Sequence, residues 1–306
     1  MIRAEPPKSG ILVIDKPAGM TSFDVVRRVR SAAGTRRVGH AGTLDPAATG
    51  VLVVCLGSAT RVVDAIQAGK KQYEATIAFG VTTATYDAEG DVVTSSDATG
   101  LTRRAVEQAL DAYRGSIMQV PPMYSALKVG GRRLYELARE GVEVERPPRS
   151  VTVHRLALVR FDPPEATLEM AVSKGTYVRS LAHDLGQDLG VGAHLSALRR
   201  TAVGHFSLSD AHGLDDVVRA FAEGWWPRVT HAIDSALIDL PAMVVEAEAE
   251  AAMRHGRQID GPRPPGPTAA EPVRVYGANG TFVGLVVWDT ASGRWQPHRV
   301  FPEPAS

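Results

Sequence analysis

Two short, uninterrupted apolar runs, Ile11–Ile14 and Val51–Leu56, constrain this 306-residue chain more than any other feature. Each is bounded by turn signals: Lys16-Pro17-Ala18-Gly19 follows the first and Gly57 closes the second. Runs of this length are too short for buried helices and read as buried strands. Residues 72–79 alternate instead, placing Tyr73, Ala75, Ile77 and Phe79 on one face of a third strand. Further strands are expected at 151–160, 166–173 and 176–179. Helices fit 22–30, with Thr21 or Ser22 as cap, then 102–113 behind Thr102, and 181–189 ending at Gly190. Strands and helices alternate without a strict βαβ rhythm, so the fold class is α+β.

Two segments differ from this pattern. Residues 118–149 hold Pro121-Pro122, Gly130-Gly131 and Pro147-Pro148 among tyrosines and arginines. They read as a protruding flap, with one amphipathic helix from about 132 to 140 stopped by Gly141. From Pro241 onward a helix at Glu246–Arg254 leads into a Pro/Gly-rich loop, Asp260 to Pro267. Short strand-like runs follow at 273–276, 281–288 and 294–301, with Asn279-Gly280 as a hairpin turn. A small β domain attached to a larger mixed one is the expectation.

Several chemistries are excluded by their missing motifs. The chain has no GxxxxGK[ST] loop, GxGxxG, HExxH, GxSxG or EF-hand loop. One cysteine, Cys55, allows no internal disulfide or multi-cysteine zinc site and reads as a small core residue, and the nine histidines are scattered. No apolar run is long enough to span a membrane and no signal peptide is visible, so a cytoplasmic protein is expected. A reaction here would be carried by side chains alone, without metal or cofactor.

The candidate chemistry centres on Gly39 to Gly50. Between Arg37 and Arg61, Asp45 is the one acidic or basic side chain apart from His40, and Gly39, Gly42 and Gly50 let backbone approach closely. Such a carboxylate, ionised at neutral pH, suits a nucleophile or base. Asp45-Pro46 is equally a good helix N-cap and first helical residue, so both readings stay open. In Ser173 to Arg179, a strand would put Tyr177 and Arg179 on one face, where Arg179 could pair with Asp45. Taken singly, Tyr73 and Leu198 are core residues by default, and His40 is a loop hydrogen-bonder.

Lys+Arg and Asp+Glu balance at 34 each, which argues superficially against nucleic acid. Locally the charges separate. Residues 25–44 carry Arg27, Arg28, Arg30, Arg36 and Arg37 without an acid, and the flap mixes Lys128, Arg132 and Arg133 with Tyr124 and Tyr135. Cations interleaved with rings suit phosphates and bases, although Glu136, Glu140, Glu143 and Glu145 keep a merely solvated face in play.

Five blocks resemble the bacterial TruB-type tRNA pseudouridine-55 synthases. They are Gly10-Ile11-Leu12 with Asp15 to Ser22, then Gly39 to Leu52, Pro122 to Lys128, Ser173 to Arg179, and Gly192 to Leu195 with Leu198-Arg199-Arg200. The resemblance implies a mixed β-sheet catalytic domain over 1–240, with its flap clamping RNA, and a PUA-like RNA-binding domain over 241–306. It implies cofactor-free isomerisation of uridine-55 in the tRNA T-loop. Asp45 would be the catalytic carboxylate, Tyr73 would stack on the base and move a proton, and Arg179 would pair with Asp45. His40, Tyr177, Leu198 and Lys16 would contact substrate or floor the pocket, and Lys128, Arg132 and Arg133 would touch RNA. The partner would be the tRNA T-arm, met by a monomer without obligate protein partner or membrane. The alternatives are a non-catalytic tRNA-binding or tRNA-folding protein, and the same isomerisation on another RNA.

Overall fold

The computed structural model describes residues 8–125, 127–262 and 271–302, with only the backbone of Lys128, Val129 and Arg133. Ala126 in the flap and residues 263–267 of the expected Pro/Gly-rich loop lie outside the described residues.

Both apolar runs are strands, Gly10–Lys16 and Thr49–Leu56, paired antiparallel from Gly10↔Leu56 to Lys16↔Gly50. They belong to a mixed ten-stranded sheet. Its order runs from His212–Gly213 through Gly10–Lys16, Thr49–Leu56, Ala193–Val203, Lys71–Phe79, Glu165–Val172 and Arg149–Asp162 to Gly115–Gln119. The strand Val38–His40 adds to Thr49–Leu56, and Phe206–Ser207 to Ala193–Val203.

The sheet is weakest in its middle. Thr49–Leu56 and Ala193–Val203 run parallel and share only Arg199↔Thr49 and Arg200↔Gly50. Helices cover each half separately. Ser22–Ala33 and Leu214–Ala222 close one core over Leu12, Ile14, Leu52 and Val54. Val178–Asp188 and Arg103–Ala109 close another over Ala75, Ile77, Leu168 and Met170. Tyr73 and Leu198 pack against both cores, which puts them on the seam.

The helix Ser22–Ala33 shows how local sequence builds this frame. Thr21 is its cap, accepting from the Asp24 amide at 3.0 Å, while Asp24 reaches back to the Thr21 amide at 3.1 Å. Val25, Val26 and Val29 face the core. Ser22 is therefore free for another task, described below.

Two sequence expectations fail here. The stretch 176–179 is not a strand: a helix starts at Val178, three residues before the expected 181. Val178 and the lack of a capping side chain at Tyr177 disguise the start. The cap comes from elsewhere in the fold, as the Gln119 amide accepts from Tyr177 N at 2.8 Å and donates to Tyr177 O at 2.9 Å. The central strand Ala193–Val203 went unrecognised, because His194, Ser196, Arg199 and Arg200 break any apolar pattern.

In the flap, a two-by-two-residue hairpin, Lys128–Val129 with Arg132–Arg133, turns at Gly130-Gly131, both at positive φ. The helix Leu134–Arg139 follows and buries Leu134 and Leu137. Toward the C-terminus, Ala242–Val245, Val273–Gly277, Phe282–Asp289 and Arg294–Val300 form a separate four-stranded sheet backed by the helix Ala247–Arg254. Its first strand was not foreseen. Leu285 and Phe301 of this unit pack into a core shared with Ile11, Val13 and Val53, so the two sheets are joined by apolar contact.

Candidate active site

Asp45 sits where the two halves of the sheet part, in a turn rather than at a helix start. Ala48 N donates to Asp45 O at 3.1 Å, and no helix follows Pro46. The capping reading is thereby removed, and the carboxylate pairs with Arg179 instead. Three buried side chains hold its loop. Ser22 Oγ donates to Leu44 O at 3.0 Å and accepts from Leu44 N at 2.8 Å. Arg200, 1 % exposed, donates to the carbonyls of Val51 (2.7 Å), Gly42 (3.0 Å) and Thr43 (3.3 Å). Lys16 Nζ donates to the carbonyls of Met20 (2.7 Å), Pro17 (2.9 Å) and Pro46 (3.0 Å).

Glycine is required at one point of this loop. Gly50 has φ +96, and a Cβ there would lie 2.2 Å from Arg200 O. The expected substrate contact by Lys16 is corrected by the same geometry. Lys16 is fully buried and its three N–H groups are all spent on backbone, so it floors the site and cannot touch a ligand.

Arg179 pairs with Asp45, Nε to Oδ2 at 3.2 Å. It does so from the first turn of a helix, not from a strand shared with Tyr177. The same guanidinium reaches Asp87 Oδ2 at 2.9 Å and donates to the carbonyls of Tyr124 (3.0 Å) and Thr85 (3.4 Å). A planar fork with several donors is what such divergent acceptors need. Asp87 is in turn held by Thr85 Oγ1 and by the Glu89 amide at 3.1 Å. Sequence reasoning missed Asp87 altogether. It is one acid in a turn-rich stretch, and nothing in its spacing relates it to Asp45 or Arg179.

The electrostatics follow from this packing. Burial pushes the Asp45 carboxyl above its ordinary range, and the adjacent Asp87 adds to that, while Arg179 opposes most strongly, followed by Lys16 and Arg200. Even so, 40 % of the Asp45 side chain stays open to the cleft. Glu89 is also pushed upward, first by burial and then by Asp87 and Asp45. Burial lowers His40, with Arg200 acting in the same sense, so the imidazole is neutral at neutral pH. His40 Nδ1 is buried without a hydrogen-bond partner among the described residues.

The structure brings Asp45, Arg179 and Tyr177 together, since the phenol of Tyr177 feels both Arg179 and Asp45 and is raised chiefly by burial. Tyr73 and Leu198 lie on the seam between the two cores: Leu198 pairs with Ala75 and Arg200 with Tyr73. The flap reaches this cluster through the Tyr124 carbonyl and Gln119. Arg132 forms an ion pair with Glu140, both half exposed, so its charge is partly cancelled. The backbones of Lys128 and Arg133 pair with each other.

Three family models together match residues 30–301. The N-terminal domain model of the TruB family of pseudouridylate synthases matches residues 30–178. A tRNA pseudouridylate synthase B C-terminal domain matches 179–242, and the C-terminal model of pseudouridine synthase II TruB matches 241–301. A tRNA pseudouridine synthase B of Symbiobacterium thermophilum is 52% identical over 250 residues, 81% of this chain and 82% of the relative. One of Pseudomonas aeruginosa is 44% identical over 295 residues, 95% of each chain. Among solved structures, a chain of a Cbf5-Nop10-Gar1 complex superimposes with TM-score 0.72 at 27% identity, over 96% of this chain and 84% of that one. A chain of an H/ACA RNP bound to a substrate RNA containing 2'-deoxyuridine gives TM-score 0.72 at 25% identity, over 97% and 86%.

Proposed function

The chain belongs to the TruB family of pseudouridylate synthases and isomerises uridine to pseudouridine in tRNA; we propose that Asp45 is the carboxylate that drives this reaction, and that the target is uridine-55 of the T-loop. The observation that carries the assignment is the open Asp45 carboxylate gripped by an Arg179 whose other donors are fixed by Asp87 and two carbonyls. A surface ion pair would lack that scaffolding.

The chemistry asked of the site is an isomerisation. The N1–C1′ bond breaks, the base turns, and a C5–C1′ bond forms, while the proton lost from C5 is balanced by one gained at N1. Asp45, positioned by Arg179, acts on the ribose–base unit and divides one hard step into easier ones. The target base must leave its stack, at a cost of a few kcal/mol. Stacking on Tyr73, worth about 1–3 kcal/mol, offsets much of that, and the Tyr73 hydroxyl moves a proton. Leu198 and Tyr177 wall the pocket so that a detached uracil is retained, and neutral His40 helps hold the base out. Lys16 and Arg200 position the loop from below.

The flap over 118–149 clamps the T-arm, with Lys128, Arg132 and Arg133 toward RNA, and the chain acts as a cytoplasmic monomer. The C-terminal sheet within 241–306 is a PUA-like RNA-binding module beside a catalytic domain of residues 1–240.

The test is Asp45→Asn with tRNA whose uridines carry tritium at C5. Tritium release is expected to be lost while tRNA affinity stays within about twofold. Full turnover by the variant would refute the assignment, and mapping pseudouridine in the product checks the position.

A further inference from the structure

The arginines of the acid-free stretch 25–44 find partners both nearby and elsewhere in the fold. Arg27 pairs with Asp24 at 2.9 Å, Arg28 pairs with Asp215 at 2.7 Å, and Arg30 donates to Val38 O at 2.8 Å. Arg37 goes elsewhere. It lines a cavity of about 510 Å³ between the 3-10 turn Gly57–Val62 and the end of the C-terminal sheet. A second cavity of about 490 Å³ shares Arg61 and Val300 with the first and adds His298 and Arg299, so the two form one groove.

We propose that this groove binds the phosphodiester backbone of tRNA at a place outside the loop that carries the target uridine. This rests on the tRNA-modifying reading above.

Charge is the first argument. Arg37, Arg61 and Arg299 line the groove against one acid, Asp64, while Arg254 is neutralised by Glu250 at 2.7 Å. Geometry is the second. Arg37 Nε donates to Thr60 Oγ1 at 3.0 Å, Arg61 Nη1 donates to Val300 O at 2.6 Å, and Arg299 donates to Arg61 O. Each guanidinium is thus oriented by a neutral acceptor and keeps its charge, with further N–H groups beyond the one spent. The third argument is Ser58 on the groove wall. It is 5 % exposed, yet its hydroxyl has no hydrogen-bond partner among the described residues. A buried orphan donor beside arginines fits an anionic oxygen.

Position separates this groove from the reaction cleft. It adjoins the Gly10↔Leu56 end of the paired strands, whereas the Asp45 loop adjoins the Lys16↔Gly50 end. Seven strand residues at about 3.3 Å each put the two ends about 20 Å apart. A ligand that reaches both must extend well beyond the reacting loop, as a whole tRNA does. Contacts to phosphate would set its register without reading sequence. The zero net charge of the chain fits this arrangement, because attraction is confined to the groove and not spread over the surface.

The test is Arg37→Glu with Arg299→Glu in the full chain, measured against full-length tRNA and an isolated T-arm stem-loop over a salt series. The double variant should bind full-length tRNA about tenfold more weakly or worse, with a salt slope shallower by about one to two. Stem-loop affinity, stem-loop turnover and melting temperature should match the parent. Unchanged affinity and slope for full-length tRNA would overturn the proposal, as would equal weakening on the stem-loop. A parental melting temperature raised by inorganic phosphate alone, with tRNA affinity unchanged in the variant, would assign the groove to a small anion and overturn it too. Should the parent form no pseudouridine while the variant still loses full-length tRNA selectively, the activity reading fails and the groove stands.

Discussion

Replacing Arg179 by methionine removes the guanidinium while leaving a stem of similar length, and its main effect should be on the proton of Asp45. Arg179 is the largest influence holding that carboxyl down against burial. A unit charge pair about 4 Å apart is worth about 1 kcal/mol in water and about 4 kcal/mol near a protein surface. With Arg179 9 % exposed and Asp45 40 % exposed, an intermediate figure of about 2 kcal/mol applies, or about 1.5 pH units. The sign is upward. Without the cation, Asp45 keeps its proton to higher pH, so the acid limb of kcat/KM for tritium release should move up by about 1.5 pH units. The variant would then recover part of its lost rate as pH rises. An acid limb at the parental position, with the rate scaled down uniformly, would refute the claim that Arg179 holds Asp45 ionised. Methionine also strands Asp87, whose side chain is 12 % exposed. The companion Arg179→Met, Asp87→Asn removes that second buried charge. Both should shift the limb upward if the effect belongs to Arg179 acting on Asp45, the companion by less, because the Asp87 charge itself raises Asp45.

Three further outcomes follow from other contacts. Lys16→Met leaves three buried carbonyls without their donor and should cost about 2–4 kcal/mol in denaturant unfolding; it should also lower kcat more than it raises KM, because the Asp45 loop loses its floor. Asp184 has its carboxyl raised to about 6, chiefly by burial and then by Asp188. A folded-state pKa above the unfolded one gives stability that is present at low pH and lost as pH rises through about 6. Asp184→Asn should therefore unfold later than the parent at neutral pH, by about 1–2 kcal/mol after allowing for partial solvation, and the gain should vanish near pH ~4. Arg132→Gln should flatten the salt dependence of tRNA binding by about one unit of slope. An unchanged slope would make Arg132 no more than the partner of Glu140.

Much of the frame was readable because its signals are local. The two apolar runs, the alternation at 72–79, Thr21 and Thr102 as caps, and the Asn279-Gly280 turn all act over a few residues. Where the reading failed, the cause lay at long range. The helix start at Val178 depends on Gln119, which bonds Tyr177 from fifty-eight residues away. The strand Ala193–Val203 carries a buried arginine that looks like surface until the carbonyls of Gly42, Thr43 and Val51 receive it. The pairing of Asp45 with Arg179 was anticipated on a mistaken premise, a shared strand face. It holds because a helix N-terminus delivers the side chain to the same cleft.

The sequence by itself determined the inventory: one carboxylate in a glycine-rich loop, strands short enough to be buried, and the motif blocks of a pseudouridine synthase. Only the tertiary structure decided which of these residues stay open to solvent and which hold the loop. Lys16 became a buried floor post, Ser22 and Arg200 became staples, and Asp87 entered the site unannounced. The same holds for charge. An arginine stretch free of acids in sequence finds Asp215 in space, and Arg37 joins Arg61 and Arg299 in a groove between two sheets. The reason is physical: the hydrogen bonds and desolvation that set a side chain's role depend on neighbours brought in by folding, and sequence spacing carries no record of them.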